Sequence, residues 1–230
     1  DNVLTLDEGY TNATTVILST YLGGDTTNPA DKVVNLANVE LTVQASTLGT
    51  DTQLTLTGGT GTDNLNLYLG GNGDETLVNS VSGFENITLL DNPAGNVAST
   101  LTFGAYLPGT GKNITIDASA IDAADTANLV IDASGVTAST TTGKQITFTD
   151  GAGATKITLG NDDDTATMGV GNDTVVGTAG QNTISMGAGN DSVTAGSGIE
   201  NIDGGAGNDT INMASALTAL DTVDGGAGTD

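Results

Sequence analysis

Asp173, Asp191 and Asp209 recur at steps of eighteen residues (191 − 173 = 18; 209 − 191 = 18), and Asp230 follows after twenty-one (230 − 209 = 21). A second series, Asp164, Asn182, Glu200 and Asp221, runs between them, nine residues out of phase at first (173 − 164 = 9). Each member closes a glycine-rich turn, read most clearly as GVGND at 169–173, GAGND at 187–191, GGAGND at 204–209 and GGAGTD at 225–230. Carboxylates beside turn carbonyls are hard oxygen donors, and the chemistry open to them is the binding of hard cations. The 230 residues contain 28 Asp and Glu against 4 basic residues, for a net charge of −24, with no His and no Cys. All four bases are lysines, so the usual general bases, nucleophile partners and oxyanion clamps are missing and no enzyme is expected. Zinc, copper and iron would find almost no donors. So acidic a surface repels phosphate backbones and anionic lipid, which argues against nucleic acid. No apolar run is long enough for membrane insertion as a helix.

The elements that position these acids follow from a second column. Two residues beyond each closing position stands an apolar or small residue: Ile157, Ala166, Val175, Ile184, Val193, Ile202, Ile211 and Val223. Nine residues therefore supply one turn and one short strand, and two units complete a coil, so that every second turn stacks on the same edge. Coils stack about 4.8 Å apart. Bare carboxylates at that spacing repel by about 3 to 4 kcal/mol at an effective dielectric of about 20. A Ca²⁺ ion between coils reverses the sign, and its six to eight flexible oxygen ligands suit it better than the tight octahedron of Mg²⁺. Turns of this kind need Gly or Asn at positive φ. Thr155 closes its turn (GAGAT, 151–155) without a carboxylate and is expected to mark the start of the run, while Asn182 and Glu200 predict weaker or missing sites on the second edge.

Residues 1–149 are a succession of short Thr/Val/Leu/Ile strands, among them TTVIL at 14–18, VELTV at 39–43, NITLL at 86–90, NITID at 113–117 and LVID at 129–132. Their period-two alternation and β-branched content predict strands, and no segment predicts a stable helix. Internal echoes accompany them: Phe84-Glu-Asn-Ile87 matches Ile199-Glu-Asn-Ile202, and Ile116-Asp-Ala-Ser119 returns as Ile131-Asp-Ala-Ser134. A stacked solenoid explains such echoes, with an all-β sandwich as the competing arrangement. The fold class expected is all-β, a parallel β-solenoid over 1–149 followed by a β-roll over 150–230.

The units over 150–230 resemble the glycine- and aspartate-rich nonapeptide repeats of RTX proteins, most closely at Asp203-Gly-Gly-Ala-Gly-Asn-Asp-Thr-Ile211. The resemblance implies a calcium-binding β-roll with several ions between successive turns, and export by a type I secretion system to fold outside the cell. By resemblance, Asp173, Asp191, Asp209 and Asp230 on one edge, and Asp164, Asp221 and Glu200 on the other, are side-chain ligands. The carbonyls of Gly169, Gly171, Gly187, Gly189, Gly205 and Gly207 would complete the shell. A less regular turn pair at 58–77, with Asp63 and Glu75, is either an embedded copy or an ordinary glycine turn with solvated acids. The chain opens at Asp1 without Met and stops on the acid of an unfinished repeat, and it reads as a piece of a longer protein in which the roll continues. Together these features predict a secreted, extracellular segment of a bacterial cell-surface protein of the S-layer or adhesin type. Its expected partners are calcium, copies of itself and a cell-surface glycan. The alternative is the calcium-dependent folding module of a type I secreted enzyme.

Overall fold

The computed structural model describes residues 4–5, 16–17, 32–35, 40–44, 54–57, 64–68, 78–82, 84–90, 99–103, 113–122, 129–136, 145–213 and 217–230. Of the turn pair at 58–77 only the strand Asn64–Tyr68 falls within them; Asp63 and Glu75 lie outside the described residues. The strands form two ten-stranded sheets, in which each strand pairs in parallel not with its chain neighbour but with the strands two places away. The chain therefore alternates between the sheets, and one coil takes two strands and two turns. This is the expected parallel β-solenoid; the antiparallel pairing of a sandwich is absent from the described residues, as is any helix.

Register makes the repeat visible. In one sheet Ile157 aligns with Val175, Val193 and Ile211, and in the other Ala166 aligns with Ile184 and Ile202. Bonds that link successive closing positions there span eighteen residues. One wider coil carries Ile202 to Val223, where the matching bond spans twenty-one. Upstream the coils are wider and vary in length, from 22 residues between the paired Asn64 and Asn86 to 32 just ahead of the paired Ile114 and Ile146, where Asn113 and Gln145 share a side-chain hydrogen bond. From Asn86 onward the paired strands keep one register in both sheets, while the pairs that involve Val78–Ser82 shift register; the residues between strands absorb the difference in length.

Strand length sets how much core each coil carries. Residues alternate across a strand, so a four-residue strand can aim two side chains inward and a three-residue strand one. In the wide coils Ile114–Asp117 buries Ile114 and Ile116, and Ile146–Thr149 buries Ile146 and Phe148. In the narrow coils Thr174–Val176 and Thr183–Ser185 bury only Val175 and Ile184. Phe84, Phe103 and Phe148 are all buried in the wide part, whereas the narrow part is filled by Val and Ile with Met168 and Met186 as packing. That core thins at the last coil, where Val223 is 42% exposed.

The echoed Ile-Asp-Ala-Ser segments explain themselves in this frame. Each ends a strand in the same turn, with Asp117 Oδ1 accepting the Ser119 N–H at 3.0 Å and Asp132 Oδ1 the Ser134 N–H at 3.0 Å. The two strands belong to opposite sheets, so the echo is one half-coil repeated across the solenoid.

Candidate metal centre

The turns stack so closely at their glycine positions that a side chain would not fit there. Gly187 and Gly189 have φ of 81° and 151°, in the region that favours glycine. A Cβ on Gly189 would lie 1.4 Å from the Gly171 carbonyl oxygen, so that oxygen is directed at the next turn. The Ala188 N–H donates to the Gly169 carbonyl at 2.9 Å, and the Gly189 N–H to the Ala206 carbonyl at 2.8 Å, tying each turn to the turn before and the turn after it. The carbonyls of Gly169, Gly187 and Gly205 thus accept main-chain bonds, those of Gly187 and Gly205 from Ala206 and Ala227. The carbonyls of Gly171, Gly189 and Gly207 each face the equivalent glycine of the following turn.

On this frame the closing acids form a ladder. Asp173 Oδ1 accepts the Thr155 N–H at 2.8 Å, Asp191 Oδ1 the Asp173 N–H at 2.8 Å, Asp209 Oδ1 the Asp191 N–H at 2.9 Å, and Asp230 Oδ1 the Asp209 N–H at 2.9 Å. Asp173, Asp191 and Asp209 are all buried, and in each the second oxygen, Oδ2, is buried without a hydrogen-bond partner. A buried anionic oxygen left unpaired is costly and needs an explanation, of which a bound cation is one.

The second edge is less uniform. Asp164 Oδ1 accepts the Ile146 N–H at 2.7 Å and leaves a buried, unpaired Oδ2. Asn182 takes the next position with an amide whose groups are all engaged: Oδ1 accepts the Asp164 N–H at 3.1 Å, and Nδ2 donates to the Ala179 carbonyl at 3.3 Å and to Glu200 Oε1 at 3.4 Å. It offers neither charge nor a spare oxygen. Glu200 is fully buried and its Oε2 is unpaired. Asp221 has both oxygens occupied, Oδ1 by the Glu200 N–H at 2.7 Å and Oδ2 by the Thr218 N–H at 2.5 Å.

Burial drives the protonation of these groups. Desolvation pushes Asp164 up to about 7 from 3.8, against the amides of Ile146 and Gly160, with Asp162 and Asp163 adding repulsion. Asp173 is pushed up to about 7 by desolvation, against the Thr155 amide, with repulsion from Asp150 and Asp191. Desolvation also raises Asp191 and Glu200. Asp221 is lowered, chiefly by the amides that hold it.

Two features escaped the sequence reading. Asp150 is buried, keeps an unpaired Oδ2, and is raised by desolvation, with the Thr155 hydroxyl and the Gly151 amide offsetting part of the shift. It precedes its turn's first glycine rather than closing the turn, and so falls outside the column of acids. The asparagines before the closing acids form an exposed ladder of their own: Asn172 Oδ1 accepts the Asn190 N–H and Asn190 Oδ1 the Asn208 N–H, both at 2.8 Å. Its signal was available as Asn-Asp pairs eighteen residues apart.

Among the described residues no three acidic side chains gather into a ligand cluster, so an ion held here would draw on main-chain oxygens as well as carboxylates. No protein-family model, curated protein or solved structure matches the chain. The chemical reading of these columns therefore rests on their own geometry.

Proposed function

We propose that this chain is a calcium-binding structural segment of a secreted bacterial cell-surface protein, of the S-layer or adhesin type, which folds and assembles when its repeat turns take up extracellular calcium. The observation that carries the proposal is the row of buried carboxylates whose second oxygens have no partner, set beside stacked turns lined by main-chain carbonyls. When bound, Ca²⁺ supplies two positive charges and accepts six to eight oxygens in flexible geometry.

The chain's own residues do the rest. The Oδ1 atoms of Asp173, Asp191 and Asp209 grip the amide of the preceding coil, which fixes each carboxylate and leaves Oδ2 for an ion. The glycines bring successive turns close enough to present oxygens from two coils at once. Without a cation the burial of these anions opposes folding, because the Val and Ile column of the narrow coils is thin. A site held at about one hundred times its dissociation constant contributes about 2.7 kcal/mol, so a few stacked sites decide whether the roll forms. The same two sheets run from the first described strand to the last, which suits a structural scaffold.

Circular dichroism during calcium titration, reversed with EGTA, tests the reading. The β-sheet signal is expected to rise with calcium and fall with the chelator. A full β spectrum indifferent to both would refute calcium-dependent folding.

A further inference from the structure

We propose that Asp150 supplies the carboxylate of a first calcium site, between the turns at 150–155 and 169–173, where the closing position holds Thr155 and the repeat pattern places no acid. The inference rests on the calcium reading above and extends it to a residue outside the repeat column.

Register defines the comparison. The Thr155 N–H donates to Asp173 Oδ1 at 2.8 Å as the Asp173 N–H does to Asp191 Oδ1, so Thr155 occupies a closing position. Asp150 stands at the first position of the same turn, aligned with Met168 through the pairing of Thr149 with Thr167. In two later turns the first position is glycine, and there the geometry is informative. A Cβ built on Gly204 lies 3.0 Å from Asp209 Oδ2, and one built on Gly225 lies 2.8 Å from Asp230 Oδ2. A side chain growing from the first position is therefore aimed at the place where a closing acid puts its second oxygen.

Asp150 uses that direction. Its Oδ1 accepts the Thr155 hydroxyl at 2.9 Å, while its Oδ2 is buried without a partner in a residue only 6% exposed. Across the coil step, Asp173 Oδ2 is buried and unpaired as well. The charge of Asp150 bears on Asp173 as that of Asp191 does from the other side. Main-chain oxygens are at hand, since the Gly153 carbonyl faces Gly171, 2.6 Å from where a Cβ would stand. A purely structural hydrogen bond to Thr155 would explain one oxygen of Asp150 and leave the other as an unpaired buried anion. Moving the carboxylate from the end of the turn to its start, with a small hydroxyl residue making room, keeps the donor set. The column ends here because one coil earlier the position aligned with Thr155 is the apolar Leu129.

The test counts calcium ions bound per full chain, by equilibrium dialysis with calcium as the probe. Asp150→Asn keeps the size and an acceptor for the Thr155 hydroxyl but removes the charge; it is expected to bind one ion fewer than the wild type. Asp150→Asn/Thr155→Asp, with the carboxylate returned to the closing position, is expected to regain that ion. An unchanged count in Asp150→Asn overturns the proposal while leaving the calcium reading intact. A wild-type chain that binds no calcium overturns both. Should Asp150→Asn fail to reach the wild-type circular dichroism spectrum in saturating calcium, the double variant decides alone: a wild-type count supports the assignment and one ion fewer overturns it.

Discussion

In the wide coils the position aligned with Asp164 is held by Ile146 and, one coil earlier, by Ile114, both fully buried; from 164 onward the same column carries Asp164, Asn182, Glu200 and Asp221. The sheets continue through this change without a break in register. What differs is how a coil meets the requirement to fill its edge. A wide coil places a second apolar side chain there, which adds apolar burial to the main-chain pairing. A narrow coil, with one inward residue per strand, places a polar residue there that bonds to the coil before it, and Asp164 and Glu200 each keep a buried oxygen without a partner. On the proposed calcium reading, one architecture contains a part stable in itself and a part whose stability is conditional.

Removing calcium should separate the two most sharply. In hydrogen-exchange mass spectrometry with EGTA, amides in 155–212 are expected to lose most of their protection while those in 84–90, 113–117 and 146–149 keep theirs. Equal loss in both would mean that the solenoid is one cooperative unit, and the division would fall.

The converse perturbation is a cavity in the wide part. Phe148 is fully buried between Ile116 and Ala166, so it fills space that the following coil leaves to a methyl group. Phe148→Ala is expected to cost about 3 to 5 kcal/mol. The loss should be the same in calcium and in EGTA when protection of the wide coils is measured, because no closing acid there depends on the ion.

Acid should do part of the work of calcium. Asp164 and Asp173 titrate at about 7 in the fold against 3.8 as free groups, so the folded state holds more protons than the unfolded one between those values. Stability of the calcium-free chain is therefore fully present below 3.8 and falls as pH rises toward about 7. Asp191, Glu200 and Asp150 contribute in the same direction. Thermal unfolding in calcium-free buffer is expected to give a higher midpoint at acidic than at neutral pH, and Asp164→Asn, which can still accept the Ile146 amide, should flatten the slope. A midpoint that rises with pH would contradict the burial of these anions.

Much of this was legible in the sequence, for a physical reason. Two columns locked at a constant offset reflect a turn and a strand that must repeat to stack, so the narrow coils, their Val and Ile core and their two edges followed from counting. The wide coils have connections of variable length, which hide the alignment of Ile114 with Ile146; only local echoes such as Ile116-Asp-Ala-Ser119 pointed to it. Asp150 was missed because a carboxylate can reach one place from either end of a turn, and spacing records only one of them. Asn182 and Glu200 were grouped as one kind of departure, yet one is a saturated amide and the other a buried anion with a spare oxygen.

The smallest expected effect concerns the exposed ladder that runs beside the acids. Asn190 Oδ1 accepts the Asn208 N–H of the next coil, while its neighbour Asp191 accepts the Asp173 N–H of the previous one, so adjacent residues hold a turn from opposite sides. Only the acid among them is buried with an unpaired oxygen. Asn190→Ala removes one partly solvated hydrogen bond and should cost about 0.5 to 1 kcal/mol, with no change in the number of ions bound. Asp191→Asn, which keeps its own backbone contact, should instead lower that number. If Asn190→Ala also reduced the count, the asparagines would have to be included among the ligands, and the division between a solvated ladder that fastens coils and a buried one proposed to bind cations would not hold.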